Sequence, residues 1–233
     1  MTKMFLTRLM RHSMLLAAVL SIGFLAVPSQ AILVGTVPTF PGDSVSPGIT
    51  FDSPGTLLAD VVDPWTFTTT AGTTSGTLEA AVYMEAGGTL DFYYQVTNNA
   101  SSKTAIRAVS NTSFAGFLTD LGFRIDGSTL SGTSFIDGTV APLVGDRDGS
   151  GAVVGFQFSP PNSAKILAGT TSNVLVISTD ATNYEPGNSE LLDGGSITVS
   201  TFQPAAVPEP MSFMLLGTGL LGLGLLRRKS RKA

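Results

Sequence analysis

The chain has 233 residues, 13 of them basic and 17 acidic, for a formal net charge of −4. It contains no cysteine, which excludes a disulfide framework, and a single histidine, His12. Between residues 32 and 206, five basic residues (Lys103, Arg107, Arg124, Arg147 and Lys165) stand against sixteen acidic ones, a balance of −11. That balance argues against nucleic acid or an anionic membrane surface as a partner and permits divalent cations or cationic matrix components.

At the amino end, Lys3, Arg8 and Arg11 supply positive charge ahead of Met14 to Val27, a run with no charged residue. Pro28 then breaks helix, and Ser29-Gln30-Ala31 offers small residues to a signal peptidase. The layout predicts a secretory signal over residues 1–31, cut between Ala31 and Ile32. The apolar run is short against the roughly 20 residues a spanning helix needs. His12 leaves with this segment, so the mature chain has neither His nor Cys. Cys-His and Ser-His-Asp catalysis are thereby excluded, along with the usual ligands of zinc and copper.

Residues 32–206 are enough for one domain with a real core. Residues 36–54, rich in Pro, Gly, Ser and Thr, read as irregular coil or edge strand. From Thr77 onward, short β-favouring runs alternate with turn residues about every ten positions, the spacing of a sandwich or barrel. The clearest pair, Thr77 to Met84 and Thr89 to Thr97, flanks Glu85-Ala86-Gly87-Gly88, a hairpin turn. In the second run, Leu90, Phe92, Tyr94 and Val96 alternate with Asp91, Tyr93, Gln95 and Thr97, which predicts one buried and one wet face. Further strands are expected at 105–109, 122–125, 153–158, 174–178 and 196–202, with a short helical turn over 162–167 and a linker over 201–207. The fold class is all-β, a single β-sandwich or jelly-roll-like body.

Three constellations in this body bear on chemistry. Asp146, Asp148 and Ser150 place oxygen ligands at alternate positions before Gly151, as a calcium loop does, but the twelfth position holds Gln157 where such a loop wants Glu. An acidic turn between two strands is the plainer alternative. Paired carboxylates would serve a glycosidase without histidine, yet no pair stands out by spacing. Trp65, Tyr93 and Tyr184 are the aromatics that could stack on sugar rings if exposed. Asn99-Ala100-Ser101 and Asn111-Thr112-Ser113 match a glycosylation sequon and read as turns.

The carboxyl end reverses the order of the amino end. Pro208-Glu209-Pro210 holds the chain extended with one carboxylate on show. Met211 to Leu226 carries no charge, and Arg227-Arg228-Lys229 opens a basic cluster that stays cytoplasmic, so a single transmembrane helix is expected over 211–226. Gly217-Thr218-Gly219-Leu220-Leu221-Gly222 fits a dinucleotide-binding turn by spelling alone; no preceding strand or later acidic residue accompanies it, and membrane-helix glycines are the better reading.

These last 27 or so residues, with a proline-flanked glutamate, an apolar segment and a basic end in that order, resemble the PEP-CTERM sorting signal. The resemblance implies recognition by an exosortase-type enzyme in bacteria that make exopolysaccharide. It says nothing about residues 32–206. The expectation is an exported, non-enzymatic cell-surface or matrix protein, transiently anchored in the inner membrane by 207–233 and then released to the surface, with no required cofactor. A carbohydrate-binding or calcium-dependent adhesive module, and a glycosidase, are the alternatives.

Overall fold

The computed structural model describes residues 35–205. The signal segment with its Ala31–Ile32 cut, the Pro208-Glu209-Pro210 motif, the 211–226 segment and Arg227-Arg228-Lys229 lie outside the described residues. Thirteen strands follow one another: β1 Val37–Pro38, β2 Ser44–Val45, β3 Gly48–Ile49, β4 Thr56–Thr69, β5 Gly72–Met84, β6 Leu90–Asn98, β7 Ala108–Asn111, β8 Thr119–Arg124, β9 Val144–Arg147, β10 Val154–Gln157, β11 Val174–Thr179, β12 Tyr184–Leu192 and β13 Ser196–Pro204. One sheet runs β1-β8-β11-β6-β5-β4 with β3 also beside β8; the other runs β13-β12-β7-β10-β9-β2. Among these strands only β3 with β8 is parallel. No helix among the described residues is long and apolar enough to cross a membrane.

The two sheets share one apolar core. Leu78, Ala80 and Val82 of β5, Phe92, Tyr94 and Val96 of β6 and Leu175 and Ile177 of β11 meet Val109, Val154, Phe156, Leu191 and Val199 of the facing sheet. The Tyr94 hydroxyl crosses the layer and donates to the Phe202 carbonyl at 2.9 Å, so the buried phenol is satisfied. The hairpin over 85–88 forms as expected, with Gly88 at φ 84° and its N–H on the Glu85 carbonyl. The Asn162–Ala164 turn, and edge strands within 36–54, also form.

Several expectations are corrected. The second face of β6 is not wet: Asp91 and Tyr93 are fully buried and Gln95 nearly so. Residues 125–143 fold back across it, and Leu130 and Phe135 pack with Ala81, Tyr83, Tyr93, Val174 and Val176 as a second apolar cluster. Gln95 holds that segment at both ends of its amide, accepting from Ile136 N–H at 3.0 Å and donating to the Ile136 carbonyl at 2.8 Å. The linker expected over 201–207 is largely strand, since Thr201 to Pro204 pair with Gly187 to Tyr184. Asn111 ends β7 rather than making a turn, and is buried.

Three strands, β4, β9 and β12, had no counterpart among the expected strands. β4 and β12 contain a proline, which ordinarily argues against a strand. Pro64 of β4 has a partner only in β5, because β4 is the sheet edge. Pro186 of β12 pairs with β13, while β7 reaches only Ser189 to Leu192, so the ring again faces an unpaired side. Trp65 lies across Gly76 of the neighbouring strand, where a Cβ would stand 2.4 Å from the indole ring.

Candidate functional site

At one end of the sandwich converge the start of β4, the β5–β6 hairpin, the start of β8, the β9–β10 turn, the loop after β11 and the last residues of β13. Ala205 donates its N–H to the Asn183 carbonyl at 2.9 Å, the last backbone bond before residue 206. Three residues earlier in the same loop, Asp180 accepts the Leu118 N–H at 2.8 Å. Beside Leu118 opens a cavity of about 380 Å³, walled by Pro38, Phe40, Pro41, Phe117 and Leu118.

Arg147 forms the floor of this cavity. Its Nε donates to the Gly151 carbonyl, Nη1 to the Thr39 carbonyl and Thr119 hydroxyl, and Nη2 to the carbonyls of Phe114 and Phe117, at 2.8 to 3.2 Å. Five donors meet five acceptors, none of them a carboxylate. Three chain segments, at Thr39, at 114–119 and at Gly151, are thereby fixed around one buried cation, and Phe40 and Leu118 are left outside it, 61% and 50% exposed. Sequence reasoning missed this arrangement, because it read 36–54 as coil or edge strand without a partner and Arg147 as one residue of an acidic turn.

The three residues considered for calcium lie on this same end, differently employed. Asp148 accepts the Ser150 hydroxyl at 2.6 Å and the Val153 N–H at 3.0 Å, bonds that hold its carboxyl below the usual range, the Ser150 contact first. Asp146 lies over Gly155 of the adjacent strand and accepts from Gln157 Nε2 at 3.3 Å. Among the described residues no group of three or more His, Cys, Asp or Glu side chains could hold a metal ion.

Carboxylates do form pairs, on the outer face of the β6 sheet. Glu79 sits beside Asp60 and accepts the Ser134 N–H; burial pushes its carboxyl up to about 7 despite that bond, and Asp60 adds to the rise. Asp91 is buried beside Glu85, and desolvation first, then Glu85, pushes it up to about 9. In each pair the acids adjoin one another instead of flanking a cleft. Of the aromatics considered for stacking on sugars, Trp65 and Tyr93 are buried, and Tyr184 is half-buried with its ring edge-on to Phe202 at 5.7 Å. None is the exposed platform that stacking requires.

Residues 206–229 match the family model described as the PEP-CTERM protein-sorting motif. The chain carries a PEP-CTERM sorting motif. The match takes in Pro208, Glu209 and Pro210 as well as Arg227, Arg228 and Lys229. A PEP-CTERM motif marks a protein for export and for sorting by exosortase-type machinery. Comparison with curated proteins and with solved structures gave no match. The PEP-CTERM motif therefore informs on delivery, and the body speaks through its geometry alone.

Proposed function

We propose that the protein is a non-enzymatic surface or matrix component, exported through the signal at 1–31, held in the inner membrane by its tail, and cut by an exosortase-type enzyme at or near Pro208-Glu209-Pro210. The carrying observation is the PEP-CTERM match over residues 206–229, which opens one residue after Ala205, itself bonded to Asn183 of the sandwich. The non-enzymatic part draws support from the acid pairs, in each of which the two carboxyls adjoin one another rather than facing each other across a cleft. The reading assigns the body no cofactor and places it among the exopolysaccharide into which it is released.

The intact mass of protein recovered from the surface of the native host tests both ends. The expected product lacks residues 1–31 and the segment beyond about Pro210. A product that keeps Met211 to Ala233 overturns the cut. Glu209→Ala is expected to leave the tail attached and the chain in the membrane fraction; identical processing of the variant would show that this carboxylate is not read.

A further inference from the structure

We propose that the end of the sandwich from which residue 206 departs rests on the bilayer, with Phe40 and Leu118 seated in the lipid interface. This rests on the reading of residues 211–226 as a membrane-inserted segment. From Ala205 to Met211 the chain takes six steps of at most about 3.6 Å, so Ala205 lies no more than about 22 Å from the start of that segment. The other end of the sandwich is farther by the length of β6, eight steps of about 3.4 Å or roughly 27 Å.

Tether length alone would leave the body free to tilt. The loop 180–183 makes the link closer, because it binds Ala205 through Asn183 and Leu118 through Asp180. Phe40 and Leu118 share one apolar cavity with Pro38, Pro41 and Phe117, and Arg147 beneath them spends all its donors on backbone and Thr119, so no free cation competes for the surface. Met84 and Leu58 add exposed apolar side chains at the same end. Exposure by itself does not select this end, since Leu167 near the far end of β6 is 44% exposed. What selects it is exposure joined to the exit of the tail. A tethered body meets the interface at high effective concentration, so two apolar side chains suffice where a free protein would need more. Asp43, Asp148 and Asp180 stand nearby, so the occupant is a zwitterionic lipid surface; the contact is apolar, not electrostatic.

The exported chain without its signal, residues 32–233, is reconstituted in phosphatidylcholine–phosphatidylethanolamine vesicles with brominated acyl chains, as Phe40→Trp, Leu118→Trp and Leu167→Trp variants. All three keep the buried Trp65 as a common background. The first two are expected to lose about half or more of the emission of the added indole, at the interfacial depth of about 5–10 Å, and the third to keep it. Equal quenching in all three, or none in the first two, overturns the docking. Retention on the vesicles after an alkaline wash is scored in the same samples. If the chain washes off, the membrane reading of the tail fails and the docking with it; if it stays and Phe40→Trp and Leu118→Trp remain bright, only the docking fails.

Discussion

Arg147 and the acids of the β6 outer face show two ways of burying charge. The guanidinium keeps its charge, because five fixed oxygens replace the water it loses. Glu79 and Asp91 have no cation against them and hold a proton instead, with carboxyls pushed up to about 7 and about 9. The sign of the pH effect follows. Above the ordinary carboxylate range of about 4, the unfolded chain releases these protons and the folded chain keeps them. Stability should therefore fall as pH rises, through about 7 on account of Glu79 and through about 9 on account of Asp91. Melting temperature against pH checks this. Glu79→Gln should flatten the curve below about 7, and Asp91→Asn should flatten it up to about 9; a wild-type curve that climbs over this range would mean both acids ionise in the fold.

Strand β6 shows what covering a sheet does to its pattern. Leu90, Phe92, Tyr94 and Val96 face the main core, while Tyr93 and Gln95 face a segment whose only helical turn is Gly127–Thr129. That segment has few sheet partners for its backbone, so polar side chains on β5 and β6 supply them: Gln95 to Ile136, Glu79 to Ser134. Phe135 provides the apolar grip, at 4% exposure. Phe135→Ala should cost about 3 kcal/mol or more, seen as a lower urea midpoint, and should loosen residues 125–143 to hydrogen exchange ahead of the rest. Exchange protection unchanged in that segment would mean the Gln95 and Glu79 bonds hold it without the ring.

For the molecule as a whole, the decisive strand is the last one. β13 closes the second sheet, gives Tyr94 its acceptor, and packs against β4 and β5, with Asp63 of β4 accepting the Ser200 N–H at 3.0 Å. Removing the tail beyond Ala205 touches none of this. A chain of residues 35–205 should melt within a few degrees of the intact protein, whereas one ending at Ser200 loses the pairing of Thr201 to Pro204 and should melt lower by roughly 10 °C or more. A large drop for the 35–205 chain would show that residues past 205 belong to the fold.

Sequence alone determined the all-β class, the 85–88 hairpin, the inward face of β6 and the sorting motif, because each rests on neighbours along the chain: alternation, a glycine turn, or a contiguous run. It could not show that the other face of β6 is covered, since Tyr93 and Gln95 read as solvent-facing unless residues 125–143 are known to return over them. Nor could it admit β4 and β12, whose prolines are tolerable only at sites left without a second neighbour, and strand order is a property of the assembled sheet. The same holds for the end face. Phe40, Leu118, Arg147 and Asn183 are far apart in sequence, and only the closing of two sheets brings them beside Ala205, where the tail begins.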